Sequence, residues 1–200
     1  LIGILCVTLC ICFSSAAILP AFSVFSVEEQ LDMSDMLHQE GNQIFNGRGE
    51  AVRLLGTNVP HFGWTQAGPS MEAGEEMVDL ALNEWQSNVI RLAVKPYYWN
   101  NGVFKLNAGE IVPGPDGRPQ LVMSAEEYRK AVDRVIAKVA AQGKYVLLDN
   151  HSFYLPGEDS EIFWADAAER YKNHPNVIFG LFNEPANCDW EQWKNGGHIK

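Results

Sequence analysis

A carboxylate follows a short apolar run near the end of the chain. Residues 177–182 are apolar or glycine, and Asn183, Glu184 and Pro185 come directly after them. An apolar run of this length is typical of a strand buried on both faces. Low-dielectric surroundings at the end of such a strand would favour the protonated form of Glu184, which suits a general acid. A strand-end glutamate can equally face solvent or cap the next helix, so the motif needs support from the rest of the chain.

Three more segments have the pattern of buried strands, and each carries polar residues near its carboxyl end. They are residues 52–59 with Asn58, 88–94 with Arg91, and 144–151 with Asp149 and His151. An arginine in an apolar strand must be paired if it is buried. Asp149 and His151 point the same way from a strand because they are two residues apart, which favours a structural hydrogen bond between them.

Helical patterns separate these four strands. Apolar residues recur at helical spacing over residues 70–85, from a capping box at Ser124–Glu127 to the stop signal at Gly143, and over residues 158–173. Trp85 and Trp164 fall on these apolar stripes and are expected in the core. The order β-α-β-α-β-α-β predicts parallel strands with right-handed crossovers.

The polar strand ends indicate which parallel fold this is. No phosphate-binding glycine loop follows any strand, which argues against a nucleotide-binding sheet. A (β/α)8 barrel places its chemistry at the carboxyl ends of its strands and typically needs about 250 residues. The sequence therefore predicts an α/β fold, a (β/α)8 TIM barrel of which about the first four β/α units are present, preceded by an N-terminal hairpin at Asn46-Gly47. We expect the chain to be the first half of a longer protein.

The charge of the chain limits its partners. The composition is globular, with 46% hydrophobic and 20% charged residues and a formal net charge of -10 at pH 7. No basic stripe is present, so nucleic acid is not expected as a partner. A neutral polysaccharide is compatible with this charge.

The amino-terminal residues have the composition of a targeting segment. Residues 1–27 carry no charge and predict a secretory signal peptide, with a signal anchor in the membrane as the alternative. Residues 28–42 predict an acidic linker, and residues 43–200 predict the truncated barrel domain. After the signal segment only Cys188 remains, so neither a disulfide framework nor a zinc site is expected. The protein is expected to be secreted.

Two other regions could contribute to a cleft. Residues 95–123 are too long for a plain connection, and their Tyr97-Tyr98-Trp99 run could stack on sugars or seal the barrel rim. His61 and Trp64 follow the first strand and are candidate cleft residues. The sequon at Asn150 is predicted to stay without a glycan because it lies at a strand end inside the cleft.

Four motifs occur in a fixed order along the chain: G-T-N, I-R-L, D-N-H and N-E-P. Together they resemble glycoside hydrolase family 5, the retaining β-glycanases that include many cellulases and mannanases. The resemblance covers roughly residues 43–200, which correspond to the first half of that family's (β/α)8 barrel.

The resemblance implies a role for each matched residue. Glu184 corresponds to the general acid/base, and Asn183 to the neighbour that hydrogen-bonds the sugar 2-hydroxyl. Arg91 corresponds to the arginine that orients and polarises the nucleophile, and His151 to a histidine that lines the cleaved-sugar subsite. Asn58 is expected to have a structural role.

The resemblance also implies a reaction. We expect a retaining double displacement on β-1,4-linked polysaccharide, with endo action on cellulose or β-glucan as the favoured activity. The nucleophilic glutamate of the family lies on the seventh strand, beyond residue 200, and no metal or organic cofactor is needed. The 200-residue chain alone is expected to be inactive. The alternatives are a mannanase or β-1,3-glucanase of the same family, or a non-catalytic carbohydrate-binding half-barrel.

Overall fold

The computed structural model describes residues 36–63, 69–107, 110–153, 155–186 and 188–195. Its strands are β1 (His38–Glu40), β2 (Gln43–Phe45), β3 (Gly56–Val59), β4 (Val89–Val94), β5 (Val103–Phe104), β6 (Leu106–Asn107), β7 (Glu110–Ile111), β8 (Leu121–Met123), β9 (Tyr145–Asn150) and β10 (Val177–Gly180). Its helices are α1 (Met71–Asn83), α2 (Pro96–Asn101), α3 (Ala125–Ala140), α4 (Glu158–Tyr171) and α5 (Trp190–Lys194), with a 3-10 helix at Pro60–Phe62. These elements belong to one compact unit, Leu31–Lys200.

A four-stranded parallel sheet forms the centre of this unit. Its strand order is β10-β9-β4-β3, and α1, α3 and α4 lie in the connections between successive strands. The predicted alternation of strands and helices is therefore confirmed. Asn58 pairs with Arg91, and Asp149 pairs with Ala93 on one side and Gly180 on the other. Because paired residues of parallel strands share a face, Asn58, Arg91 and Asp149 project from the same side of the sheet.

The other face of the sheet carries the hydrophobic core. Its residues are fully buried and alternate along the strands with those of the polar face; they include Ile90, Leu92 and Val94 of β4 and Val146 and Leu148 of β9. The predicted stripes of two helices pack against them, namely Val78, Ala81 and Leu82 of α1 and Tyr128, Val132, Val135, Ile136 and Val139 of α3. Each such aliphatic side chain stabilises the fold by about 1.5–3 kcal/mol when fully buried.

The predicted capping box fixes the start of α3. The Ser124 hydroxyl accepts a hydrogen bond from the Glu127 amide at 3.2 Å, and the Glu127 carboxylate accepts one from the Ser124 amide at 2.8 Å. Gly143 follows the helix with a φ of 63°, a left-handed conformation that a residue with a side chain rarely adopts.

Of the two tryptophans predicted to lie in the core, one does and the other does not. Trp85 is 58% exposed because α1 ends before it, so the apolar spacing continues past the helix itself. Trp164 is partly buried and packs against the core as expected. The neighbouring residue of α4, Phe163, is fully buried, while Ala168 is exposed.

The strand that precedes Glu184 is less buried than predicted. All four residues of β10 are only partly buried, and Leu181, predicted to continue the strand, is 73% exposed. Within the described residues β10 is hydrogen-bonded to β9 on one side only, which leaves its other side open. The prediction of a strand buried on both faces was therefore wrong.

Short antiparallel strands precede the sheet. Phe45 and Ala51 form an antiparallel bridge around the predicted Asn46-Gly47 turn, and the Asn46 side-chain oxygen accepts hydrogen bonds from the Arg48 and Glu50 amides at 3.0 Å. β1 and β2 form a second hairpin just before it. The segment predicted as a linker, residues 28–42, therefore ends in ordered strand structure; its residues before Met36 lie outside the described ranges.

The long connection after β4 contains α2 and two small antiparallel pairs, β5 with β8 and β6 with β7. Tyr98 and Trp99 of α2 are buried, whereas Tyr97 is 37% exposed. The Trp99 indole donates a hydrogen bond to Asp166 of α4 at 2.8 Å. Two of the three aromatic residues therefore pack α2 against its neighbours.

The length and apolar character of a helix decide whether it can cross a membrane. Over the residues that the structure describes, no helix has both the length and the apolar character needed to span a bilayer. The predicted signal peptide or anchor, residues 1–27, lies outside those residues.

Candidate active site

The Arg91 guanidinium is the centre of a polar cluster at the carboxyl end of the sheet. Its Nη2 lies 2.8 Å from Asp149 Oδ2 and donates a hydrogen bond to Asn183 Oδ1 at 2.6 Å. Its Nη1 donates to Asn58 Oδ1 at 3.2 Å. One arginine thus joins β4 to both neighbouring strands and to the segment after β10. The prediction that Arg91 needs a partner is confirmed.

Asp149 is the buried acid of this cluster, with only 3% of its side chain exposed. Its Oδ2 lies 2.8 Å from His151 Nδ1, so the expected Asp149–His151 hydrogen bond is confirmed. Sequence reasoning missed the ion pair with Arg91. Gly180 stands opposite Asp149 on β10, and a Cβ there would lie 3.3 Å from the Asp149 Cα, so a side chain at this position would crowd the acid.

Glu184 lies on the segment that follows β10. Its amide donates a hydrogen bond to the Ser152 carbonyl oxygen at 3.3 Å, and Glu184 forms a parallel bridge with Phe153. These contacts hold the N-E-P segment beside the residues that follow β9, which include His151. Glu184 is exposed, so the expected low-dielectric setting is wrong. The open side of β10 accounts for this exposure.

A tryptophan of α4 also fixes this segment. The Trp164 indole nitrogen donates a hydrogen bond to the Leu181 carbonyl oxygen at 3.1 Å. Its ring packs edge-on against Phe179 at a centroid distance of 5.6 Å. The chain is therefore anchored just before the Asn183-Glu184 pair.

Arg91 also determines how the Asn183 amide is turned. A guanidinium can only donate hydrogen bonds, so the atom that faces Arg91 is the amide oxygen. The Asn183 Nδ2 is then directed elsewhere, and within the described residues it is buried without a hydrogen-bond partner. An unpaired buried donor of this kind is available to a ligand.

Other predicted residues lie elsewhere. His61 is partly buried on the 3-10 helix after β3, and its Nδ1 has no partner within the described ranges. Trp64 lies outside the described residues. Asn150 is fully buried and donates to the Ser160 hydroxyl of α4 at 3.1 Å. The sequon therefore faces the helix layer, and its predicted place inside the cleft was wrong because neighbouring residues of a strand point to opposite faces.

Two other features bear on where a functional site can lie. A largely apolar groove lined by Ile44, Tyr171 and Ile178 lies near the start of β10, away from the strand ends that hold Arg91. Among the described residues, no group of three or more His, Cys, Asp or Glu side chains is placed to hold a metal ion. The polar cluster around Arg91 and the adjacent Glu184 therefore remains the candidate active site.

Known proteins resemble this chain over most of its described length. Endoglucanase MaCel5A of Microbulbifer sp. (strain ALW1) is 25% identical over 161 residues, which are 78% of this chain and 27% of that protein. Endoglucanase Z of Dickeya dadantii (strain 3937) is 26% identical over 158 residues, or 77% of this chain and 32% of that protein. The chain thus spans about a quarter to a third of the length of these relatives.

Solved structures show the same fold. The native β-glucanase SdGluc5_26A of Saccharophagus degradans superposes with a TM-score of 0.56 at 23% identity, covering 83% of this chain and 49% of that one. The catalytic domain of Thermobifida fusca endoglucanase Cel5A gives a TM-score of 0.51 at 20% identity, covering 83% of this chain and 48% of that one.

A family model decides the classification. The model for cellulases of glycosyl hydrolase family 5 matches residues 45–198, which include β3, β4, β9, β10 and the polar cluster at their ends. The fold class of this family is the TIM barrel, and the parallel sheet with its helices is consistent with part of one. The chain therefore belongs to the cellulase family, glycosyl hydrolase family 5.

Proposed function

We propose that this chain is the first half of the catalytic barrel, about four β/α units, of a retaining endo-β-1,4-glycanase that hydrolyses cellulose or β-glucan. The observation that carries the proposal is the position of Glu184, which is exposed on the segment after β10 and is hydrogen-bonded through its backbone to the segment that follows His151. Two of its sequence relatives are endoglucanases, which supports this substrate class.

The first chemical step uses Glu184 as an acid. A nucleophilic glutamate beyond residue 200 attacks the anomeric carbon of the bound sugar. Protonated Glu184 donates its proton to the glycosidic oxygen, whose bond to the anomeric carbon breaks. The products of this step are the released chain end and a covalent glycosyl-enzyme, with Glu184 left ionised.

The second step uses Glu184 as a base. Its carboxylate takes a proton from a water molecule, and the resulting oxygen attacks the anomeric carbon from the side that the leaving group vacated. The nucleophile departs and Glu184 is again protonated. Two inversions at one carbon restore the original configuration. The exposure of Glu184 suits this cycle because the carboxyl group must meet both a leaving group and a water molecule.

The remaining site residues bind and orient the sugar. Asn183 donates from Nδ2 to the 2-hydroxyl, and this contact strengthens as the oxocarbenium-like transition state forms. Arg91 holds the Asn183 oxygen and orients the nucleophile. His151, His61 and Trp64 line the sugar subsites.

The protein is exported, with residues 1–27 acting as its signal segment, and its partner is the polysaccharide.

The test uses the complete enzyme and two kinds of substrate. Glu184→Gln should lower kcat/KM on β-glucan by about 10²- to 10⁴-fold, the range that general acid catalysis supplies. Formation of the glycosyl-enzyme from a 2,4-dinitrophenyl β-cellobioside should fall much less, because that leaving group departs without a proton. Glu161→Gln, an exposed glutamate of α4, is the matched control and should leave both substrates unaffected.

Equal losses on the two substrates would remove Glu184 from the acid role. Mannan and β-1,3-glucan assayed beside β-1,4-glucan identify the substrate among the family's alternatives. Absence of hydrolysis by the complete protein, with sugar binding kept in both wild type and Glu184→Gln, would instead support a non-catalytic binding protein.

A further inference from the structure

We propose that Asp149 is a positioning residue. Its oxygen Oδ2 fixes the orientation of the Arg91 guanidinium and determines which nitrogen of the His151 ring carries the proton. This inference rests on the proposed function, because it concerns how the same site presents its groups to a sugar. The sequence favoured only a structural hydrogen bond for Asp149, and the proposal gives this residue a role in the active site.

A single oxygen atom of Asp149 contacts two residues of the candidate active site. Asp149 Oδ2 lies 2.8 Å from Arg91 Nη2 and 2.8 Å from His151 Nδ1. The Asp149 side chain is 3% exposed, that of His151 16%, and that of Arg91 29%. An acid so withdrawn from water cannot itself meet a polysaccharide, so its effect must pass through the two residues that it holds.

The contact with His151 determines which ring nitrogen carries the proton. The carboxylate that pairs with the permanently charged Arg91 is an acceptor only. Since Nδ1 of His151 faces that carboxylate, Nδ1 must be the protonated nitrogen. In the neutral ring Nε2 is then an acceptor, so His151 recognises a sugar hydroxyl that donates its hydrogen bond.

The contact with Arg91 extends the effect toward Glu184. The nitrogen that pairs with Asp149, Nη2, is also the one that donates to Asn183 Oδ1 at 2.6 Å. Asp149 therefore holds Arg91 in the orientation that turns the Asn183 amide. Asn183 is the residue directly before Glu184 in the chain. Loss of the acid would release both the His151 ring and the Arg91–Asn183 contact.

The experiment combines kinetics with ¹⁵N spectroscopy of histidine in the complete enzyme. Asp149→Asn keeps the shape of the side chain but removes its charge. We expect kcat/KM on β-glucan to fall by about 10²-fold, mostly in kcat, because a small misplacement of orienting groups costs that much. In the neutral wild-type ring, the His151 ¹⁵N shifts should show a protonated Nδ1 and an unprotonated Nε2, and this pattern should be lost in Asp149→Asn. A His151→Gln sample assigns the signal.

A second acid–arginine contact provides the control. Asp133 pairs with Arg170 between α3 and α4, remote from the strand ends, and Asp133→Asn should change stability but neither kcat nor the His151 signal. Wild-type activity of Asp149→Asn, or an unprotonated Nδ1 in the wild-type enzyme, would overturn the proposal, and the wild-type spectrum decides even if the variant fails to fold. Glu184→Gln measured in parallel distinguishes the positioning role of Asp149 from the proposed function. Full activity of Glu184→Gln would contradict the proposed function and not the role of Asp149.

Discussion

Arg91 and Asp149 lie on adjacent parallel strands, with Arg91 Nη2 2.8 Å from Asp149 Oδ2. Arg91 is in register with Leu147, so Asp149 stands two residues further toward the carboxyl end of β9. The long arginine side chain spans that offset and continues to Asn58 and Asn183. The pair therefore stabilises the sheet and also organises the residues beside Glu184.

Removing this arginine should destabilise the protein strongly. Arg91→Ala leaves Asp149, whose side chain is 3% exposed, as a buried charge without its cation. We expect the free energy of unfolding of the complete enzyme, measured in urea, to fall by about 3–5 kcal/mol. Arg118→Ala is the control, because that pair with Asp116 is 4.0 Å apart on highly exposed side chains and should contribute about 0–1 kcal/mol. Similar losses in the two variants would show that the Arg91 contacts are not a buried network.

Loss of the Trp164 indole hydrogen bond should lower kcat, although the side chain is only partly buried. Trp164→Phe keeps a ring against Phe179 but removes the donor to the Leu181 carbonyl oxygen. We expect a loss of about 0.5–1.5 kcal/mol in stability and about 3- to 10-fold in kcat, since the Glu184 segment is less firmly held. Trp85→Phe, at a site 58% exposed, should change neither. If both variants behave alike, the Trp164 hydrogen bond does not position Glu184.

The sequon at Asn150 should stay unmodified in the folded protein. Asn150 is fully buried and bonds Ser160, so a glycan would prevent β9 from packing on α4. Mass spectrometry of the enzyme secreted from a eukaryotic host should find no glycan there. Asp116→Asn combined with Arg118→Thr and Pro119→Ala creates a sequon that no proline follows, on an exposed turn where the side chains of residues 116 and 118 are 65% and 85% exposed, and it should be glycosylated. A glycan on Asn150 would contradict the placement of β9.

Two buried tyrosines should make the protein sensitive to alkali. Burial raises the pKa of the Tyr128 and Tyr171 hydroxyls, and for Tyr171 the neighbouring Asp133 charge adds to the effect. The folded state keeps these protons where the unfolded chain, with a tyrosine pKa of about 10, releases them. Their contribution is therefore complete below about pH 10 and is lost as the pH rises above it, by about 1.4 kcal/mol per pH unit for each tyrosine.

Unfolding measured between pH 9 and pH 11 tests this. Tyr171→Phe should reduce the slope of the free energy of unfolding against pH by about half a proton at pH 10, and by close to one proton, or about 1.4 kcal/mol per pH unit, near pH 11. An identical slope in wild type and in the phenylalanine variants of both tyrosines would contradict the account.

Local patterns predicted most of the elements but not their surroundings. The capping box at Ser124 and the apolar stripes located the helices because those signals depend on neighbours within a few residues. The Arg91–Asp149 pair depends on the register between two strands, which the sequence does not contain. The partial burial of β10 was missed for a similar reason, since a strand is buried only as far as both of its neighbours cover it. The direction of Asn150 was available from alternation along β9, because it follows Asp149 directly.

The central claim, that Glu184 is the acid/base of a retaining glycosidase, has one direct measurement. Glu184→Ala in the complete enzyme should turn over an aryl β-cellobioside slowly, because water lacks a base to attack the glycosyl-enzyme. Azide needs no base, so its addition should restore turnover and yield the β-cellobiosyl azide with retained configuration. Failure of azide to restore turnover, or an α-configured azide as the product, would contradict the assignment.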